Sequence, residues 1–315
     1  MKLLSKYKNG NHNVLIYDNG SKIKMTINPS DDHFIYEFPE SIDCKITNCC
    51  DAGCLFCHEN STINGKHADL KKVEGTINSL QPYSEIALGG GNLLTHPDLI
   101  WFLEKLKSKN IISNITINQR HLKPYKELIY KLVNDKLITG LGISLADSSD
   151  KEDFEFIDTL GKNVVIHTIA GILEEKDYDC LRNRKILILG YKDLRRGHDN
   201  LIKNQKIIEA NIDKLKTQLL YLASICKIVS FDCLGIEQLN PKKLLNISDD
   251  KYDLSYQGHD YNMFDSDGNL TVGTMYMDLV NMQVSRSSTS QLNKRYSFTG
   301  TENIKDLLAL TTKGY

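Results

Sequence analysis

Nowhere does the chain hold a run of the ~18 consecutive apolar residues that a membrane-spanning helix needs. Its opening, MKLLSKYKNGNH, lacks the apolar segment of a secretory signal. Both absences lead to the expectation of a cytoplasmic protein without a membrane partner. Charge of one sign is missing too: 39 Lys and Arg stand against 40 Asp and Glu, a formal net charge of -1. Broad, sequence-independent nucleic-acid binding needs a basic surface and is not expected here, a local patch at Lys192, Arg195 and Arg196 aside. A disulfide framework is also absent. Of the eight cysteines, five crowd between Cys44 and Cys57 while Cys180, Cys226 and Cys233 are scattered, which fits a reducing compartment. The 41% hydrophobic and 25% charged residues suit a globular protein with one large domain and an extension.

What is present centres on CCDAGCLFCHE, where Cys50, Cys54 and Cys57 are spaced Cys-x3-Cys-x2-Cys directly after the strand-like SIDCKIT. A four-iron cluster normally takes four thiolates. Three on one loop leave one iron open to a ligand that is not protein. The competing interpretation is a non-catalytic zinc-binding interaction module, with Cys44, Cys49, His58 or His67 completing the set. Structural zinc prefers paired ligands set apart in sequence, so the spacing suits it poorly.

Downstream, IALGGGNLLTHPDL reads as an apolar strand ending in Gly89, Gly90 and Gly91, followed by Asn92 and His96-Pro97-Asp98. With these two motifs, and with Phe56 just before the third cysteine, the sequence resembles the radical S-adenosylmethionine (radical SAM) superfamily. The resemblance covers the middle of the chain. It implies a [4Fe-4S] cluster on Cys50, Cys54 and Cys57, with the methionine end of S-adenosylmethionine chelating the fourth iron. An electron from a flavodoxin-like or ferredoxin-like donor would cleave the sulfonium to a 5'-deoxyadenosyl radical that abstracts hydrogen from a substrate. In one respect the chain departs from the family, which usually has Glu after the glycines to bond the cofactor's ammonium group; here Asn92 and Leu93 follow. An amide makes a weaker bond to that group than a carboxylate. Asn92 also suits the role of cap for the next helix.

From Ile42 onward, short apolar runs alternate with charged helical segments, which implies βα units on a parallel sheet. The strands are SIDCKIT, EIALGGG, NITIN, GLGISLAD, NVVIHTIAG and KILILGY, with IVSFDCLGIEQL as a candidate seventh. The fold class expected is α/β, a partial (β/α)6 radical SAM barrel with an N-terminal β-hairpin and a mostly β C-terminal extension. The boundaries follow as residues 1–39, 40–240 and 241–315. The hairpin is NVLIYDNGSKIKMTI, with its turn at Asp18-Asn19-Gly20. Helices are expected from about Leu70 to Leu80, over LIWFLEKLKSKN, KPYKELIYKLVNDK and DKEDFEFIDTLG, and as a long amphipathic helix within DNLIKNQKIIEANIDKLKTQLLYLASICKIVSF.

Active sites of barrel enzymes gather where the strands end. That rule nominates Asn118, Ser144, His167 and Thr168, which by the resemblance would touch the cofactor's ribose and methionine. Each is also suited to satisfying local backbone groups, and a lone strand histidine such as His167 is often a satisfied core residue. Lys192, with Arg195, Arg196 and His198, could hold a cofactor carboxylate or an anionic substrate group, or form a solvated loop. Cys44, Cys180, Cys226 and Cys233 are expected to pack, and Cys49 to neighbour or replace Cys50.

Beyond Pro241 the helical rhythm stops, and YNMFDSDGNLTVGTMYMDLVNMQVSRSSTS suggests β-runs with a turn at Asp265 to Gly268, then a terminal helix. The Asp-x-Asp-Gly string lacks the glycine and glutamate positions of a calcium loop. No cysteine follows Cys233, so the auxiliary clusters of many peptide-modifying family members are not expected. The substrate stays open between a peptide or protein and a nucleotide or RNA base.

Overall fold

The computed structural model describes residues 1–18, 20–255 and 264–313. Asn19 of the expected turn, Tyr261 to Met263 of the expected β-run, and the last residues Gly314 and Tyr315 lie outside the described residues. The chain begins with β1 (Leu3–Asn9), β2 (His12–Tyr17) and β3 (Lys22–Thr26), which pair antiparallel in the order β1-β2-β3. Where the sequence suggested a two-stranded hairpin, a third strand precedes it. Its two-residue turn, Gly10-Asn11, closes the Asn9–His12 pair and is of the Gly-Asn kind that marks hairpins. Gly10 sits at φ 56°, and a Cβ there would come within 2.0 Å of the Ile35 carbonyl oxygen.

β2 alternates with period two, burying His12, Val14 and Ile16. Two polar residues then tie this sheet to the chain that follows. The Asn9 side chain, fully buried, accepts the N–H of Glu37 at 2.8 Å and donates to the Phe38 carbonyl at 3.0 Å. Glu40 accepts from His12 Nε2 at 2.9 Å and from Asn9 Nδ2 at 3.2 Å.

The second sheet holds ten strands: β4 (Ser41–Thr47), β5 (Glu85–Gly90), β6 (Ile112–Asn118), β7 (Gly140–Ser144), β8 (Val164–Ile169), β9 (Lys185–Leu189), β10 (Ile228–Phe231), β11 (Thr274–Asp278), β12 (Gln283–Ser285) and β13 (Tyr296–Ser297). Strands β4 to β10 lie side by side in chain order, all parallel. This is the pattern that repeated βα units with uniform crossovers produce. The helices among them are α1 (Glu74–Asn78), α2 (Leu99–Ser108), α3 (Lys126–Asn134), α4 (Lys151–Thr159), α5 (Arg196–Ile225) and α6 (Cys233–Leu239). α1 is shorter than the expected stretch to Leu80, because turns occupy residues 70–73.

Helical rhythm does not stop at Pro241 as the sequence suggested: α7 (Pro241–Leu244) and α8 (Asp249–Ser255) continue it, with Pro241 at the first turn, where its missing N–H costs nothing. The segment expected as a β-rich extension instead enlarges the main sheet. β11 pairs parallel to β4 on its free edge, and β12 and β13 follow antiparallel. α9 (Ile304–Thr311) closes the described chain.

The two faces of the parallel strands differ. One buries Ile42, Cys44, Ile46, Ile86, Leu88, Ile115, Ile117, Leu141, Ile143, Ile166, Ile186 and Ile188 in a core shared with Phe102, Leu103 and Leu106 of α2 and Leu215, Leu219 and Leu222 of α5. Thr168 is buried on this side. The opposite face carries Asp43, Asn114, Thr116, Asn118, Ser144 and His167, none of them fully buried. Parallel sheets are normally apolar and covered on both faces, so a polar, partly open face marks where a ligand fits.

The Glu40 carboxyl is raised by burial, but the His12 hydrogen bond and the charges of Lys24 and Lys22 outweigh this and hold it below its ordinary 4.5. A depressed carboxyl contributes stability above its unfolded value, and the contribution is lost as pH falls through the folded one. Glu40→Gln is therefore expected to destabilise the protein by about 1–3 kcal/mol at neutral pH. In denaturant titrations that gap should close as the pH drops below 4.5.

Candidate functional site

The cysteine loop starts where β4 ends and is held by backbone hydrogen bonds from several directions. Cys50 N–H donates to the Thr62 carbonyl at 2.8 Å, and Cys57 N–H to that of Cys54 at 3.3 Å. The end of β5 binds the loop's entrance: Gly91 N–H donates to the Thr47 carbonyl at 2.8 Å and Asn92 N–H to that of Cys49 at 2.7 Å. Only glycine fits there. A Cβ on Gly90, at φ 116°, would lie 2.3 Å from the Thr47 oxygen, and one on Gly91 would lie 2.2 Å from the Cys49 oxygen. Gly89 is different, since a Cβ built on it meets nothing within 4 Å. It leaves open space at the strand's end.

Three arginines complete the fixation, all through loop carbonyls. Arg120, just past β6, donates to Ala52; Arg195 donates to His58 and Arg196 to Ser61, each at 2.6 Å. The basic run after β9 thus spends two of its charges on the cysteine loop. His198 pairs with Asp193 at 2.7 Å. Lys192 Nζ lies 3.0 Å from Ser288 Oγ and 3.5 Å from His58 Nε2.

Beside the loop is a buried ionic group that the sequence did not single out. Lys45 on β4 sits 2.9 Å from Glu59 and 3.0 Å from Asp278 on β11, Tyr276 donates to Glu59 at 3.2 Å, and Arg195 stands 3.5 Å from the same carboxylate. Side-chain exposures of 4%, 7% and 1% for Lys45, Glu59 and Asp278 mean that none is solvated. A lysine in the apolar run SIDCKIT was the available signal.

Cys50, Cys54 and Cys57 are half-buried and free of disulfides. Burial pushes the Cys50 thiol up, the Ala52 N–H opposes it, and the fields of Cys54 and Cys57 add to the rise. Burial likewise raises Cys54, whose thiolate is felt by Cys57 but favoured by Arg120 and Arg196. The three sulfurs thus act on one another electrostatically. Among the described residues, the group of three potential metal ligands drawn within 4.8 Å is Cys50, Asp51 and His121, not the three thiols. The other zinc candidates are occupied or turned away. Cys44 is buried on the apolar face, His67 bonds Thr47 Oγ1 at 2.9 Å, and Cys49 Sγ faces the Ile63 carbonyl at 3.6 Å.

Of the nominated strand-end residues, Asn118, Ser144 and His167 come together on the polar face, while Thr168, one step along β8, is turned into the apolar core. Asn118 Nδ2 lies 3.5 Å from Cys54 Sγ while its Oδ1 accepts the Arg120 N–H at 3.0 Å. Asn118, Ser144 and His167 stand in register on β6, β7 and β8. The His167 ring lies over Gly142, where a Cβ would fall 2.4 Å from its Cε1. Desolvation lowers His167 to about 4, so it is neutral at physiological pH. His58 is lowered to about 3, by burial first and then by Lys192. Asn92, 1% exposed, accepts the Leu94 N–H at 3.2 Å as the cap of a short helical turn and donates to Asp51 at 3.4 Å. Phe56 is half-buried within the loop. Away from the site, Cys180 and Cys226 are pushed up by burial to about 12 and about 11.

Fold and site together define an α/β protein with a cysteine loop stitched to a glycine-rich strand end, the arrangement expected from the radical SAM resemblance. Among solved structures the chain is similar to SuiB of Streptococcus suis. SuiB bound to its precursor peptide SuiA aligns with a TM-score of 0.59 at 14% identity, over 89% of this chain and 66% of SuiB. SuiB bound to S-adenosylmethionine gives the same score and identity over 90% of this chain and 68% of SuiB. At such identity the likeness is one of fold. No protein-family model matches the chain. A stretch of 100 residues is 28% identical to the ribosome maturation factor RimM of Wolbachia sp. subsp. Brugia malayi, 31% of this chain and 60% of that protein. The chain therefore spans less than two thirds of that relative. Among the described residues no helix is long and apolar enough to cross a membrane.

Two substitutions separate folding from binding at this site. Gly91→Ala drives a Cβ into the Cys49 carbonyl and is expected to cost about 1–3 kcal/mol, visible as a lowered melting temperature. Gly89→Ala enters open space and should leave the melting temperature unchanged. At the ionic group, Lys45→Met removes the cation shared by two buried carboxylates and is expected to cost about 3–5 kcal/mol in denaturant unfolding.

Proposed function

We propose that the protein is a radical SAM enzyme, holding a [4Fe-4S] cluster on Cys50, Cys54 and Cys57 and S-adenosylmethionine against the glycine end of β5. The observation that carries this is the direct backbone pairing of that strand end with the cysteine loop, through Gly91 to Thr47 and Asn92 to Cys49. When bound, the cluster and cofactor supply one-electron cleavage of the sulfonium and a radical able to abstract hydrogen. The chain's own residues position and enclose. Gly89 leaves room beside the cluster, Arg120 and Arg196 favour the thiolate at Cys54, and Asn118 bonds its sulfur. Ser144 and neutral His167 face the same space from the neighbouring strands and are the proposed contacts for the cofactor's nucleoside, with Phe56 and Lys192 at the rim.

The partial-barrel architecture belongs to this proposal. In a flat sheet β9 would stand about 24 Å from β4, five strand spacings away, yet Lys192 from the loop after β9 reaches His58 beyond β4 and Ser288 beyond β12. A sheet curled around its polar face accounts for both contacts.

For the substrate we favour a peptide or protein over a nucleotide or RNA base. SuiB, whose fold this chain shares, is seen with a precursor peptide. The basic run that would have served a phosphate instead holds loop carbonyls through Arg195 and Arg196. A reductant of the flavodoxin or ferredoxin class completes the system, and a cytoplasmic setting follows from its need for reducing conditions.

Anaerobic reconstitution tests the assignment. The wild-type chain should take up iron and sulfide, absorb near 400 nm and release 5'-deoxyadenosine from S-adenosylmethionine and dithionite. The triple variant Cys50→Ala, Cys54→Ala, Cys57→Ala should do none of these. Stoichiometric zinc without iron in the wild type would refute the reading in favour of a zinc module.

A further inference from the structure

Asp51 is the sole acidic residue between Cys50 and Cys57, and the fold takes unusual care of it. Its Oδ1 accepts from His121 Nε2 at 2.9 Å and from Asn92 Nδ2 at 3.4 Å. These donors come from two different strand ends, and both are almost wholly buried, at 3% and 1% exposed. The carboxylate itself is 64% exposed. An exposed surface aspartate seldom has two buried side chains aimed at it, because each donor gives up hydration to be there. His121 carries that cost visibly, since its Nδ1 is buried without a partner. The Cys50 sulfur, an Asp51 oxygen and a His121 ring nitrogen all fall within 4.8 Å of one another, so the carboxylate stands directly beside a proposed cluster ligand.

Asn92 supplies the second half of the argument. It follows the glycines, at the point where the strand end meets the cofactor space, but its acceptor oxygen is taken by the Leu94 N–H and its amide N–H points to Asp51. An amide so held has only the second lone pair of a neutral oxygen to offer a polar hydrogen. Asp51 offers a charged oxygen, because both contacts use Oδ1 and Oδ2 takes neither.

We infer that Asp51 is the anionic hydrogen-bond acceptor for the amino group of S-adenosylmethionine, with His121 and Asn92 as the residues that position it. This rests on the radical SAM reading and adds that the charge facing the amino N–H groups is carried by the cysteine loop rather than by the strand end. A carboxylate held from behind by two fixed donors presents its free oxygen without having to be ordered at binding, which favours a charge-assisted bond.

The test uses the full chain, reconstituted anaerobically, and reads iron and sulfide content alongside S-adenosylmethionine affinity by equilibrium dialysis. Asp51→Asn is expected to keep wild-type iron and sulfide while weakening cofactor binding ~10- to 100-fold, the range for losing a hydrogen bond to a charged group. Asp51→Glu, which keeps the charge, should retain most of the affinity, and His121→Phe, which frees the carboxylate to move, should lose part of it. Wild-type affinity in Asp51→Asn would overturn the inference. So would loss of the cluster from that variant, which would make Asp51 a residue for folding the loop. A wild-type chain that takes up no cluster sinks the enzyme reading itself, and this inference with it.

Discussion

A loop that carries three thiols must keep them apart, fixed and half-dry without the help of regular secondary structure. Here the constraint is met by backbone carbonyls. Thr47 and Cys49 are bound by the β5 end, Ala52 by Arg120, His58 by Arg195 and Ser61 by Arg196. A buried carbonyl left unpaired is costly, so each of these bonds is both a saving and a positional restraint. Together they draw the ends of β5, β6 and β9 onto one segment of chain.

The glycines follow from this arrangement. Two backbones that exchange hydrogen bonds at 2.7–2.8 Å leave no room for side chains between them, and Gly90 and Gly91 are where the crowding falls. The arginines follow as well. Their planar heads reach carbonyls while their charge lies close enough to favour a thiolate at Cys54. A single set of side chains therefore serves loop conformation and thiol ionisation, and neither can be altered without the other.

The ionic group of Lys45, Glu59 and Asp278 ties the loop's far end to β11. Pairs buried to this degree add little net stability, because desolvation consumes most of the attraction. Their effect is on geometry, since a misplaced strand would leave a charge unpaired. β11 is thus fixed against β4, and with it the C-terminal strands that extend the sheet past the site.

Much of this was legible in the residues. The alternation of apolar runs and charged helical segments gave the parallel strands β4 to β9 in order, since each βα unit is local in sequence and right-handed crossovers leave few alternatives. The spacing of Cys50, Cys54 and Cys57 and the Gly89 to Gly91 run marked the site by themselves, because thiol spacing and glycine crowding are local facts. By contrast, β1 was missed although Gly10-Asn11 signals its turn, and β11 was taken for part of a C-terminal extension, because no periodicity says which strand a distant segment will pair with. The roles of Arg195 and Arg196 were likewise invisible. A basic run offers charge in any fold, and only the tertiary structure, by placing carbonyls of the cysteine loop within reach, decided that the charge is spent on the protein's own backbone. The same holds for Asp51, His121 and Asn92, which lie far apart along the chain. Sequence determined what each could donate or accept, and the strand ends of the folded sheet determined that they meet.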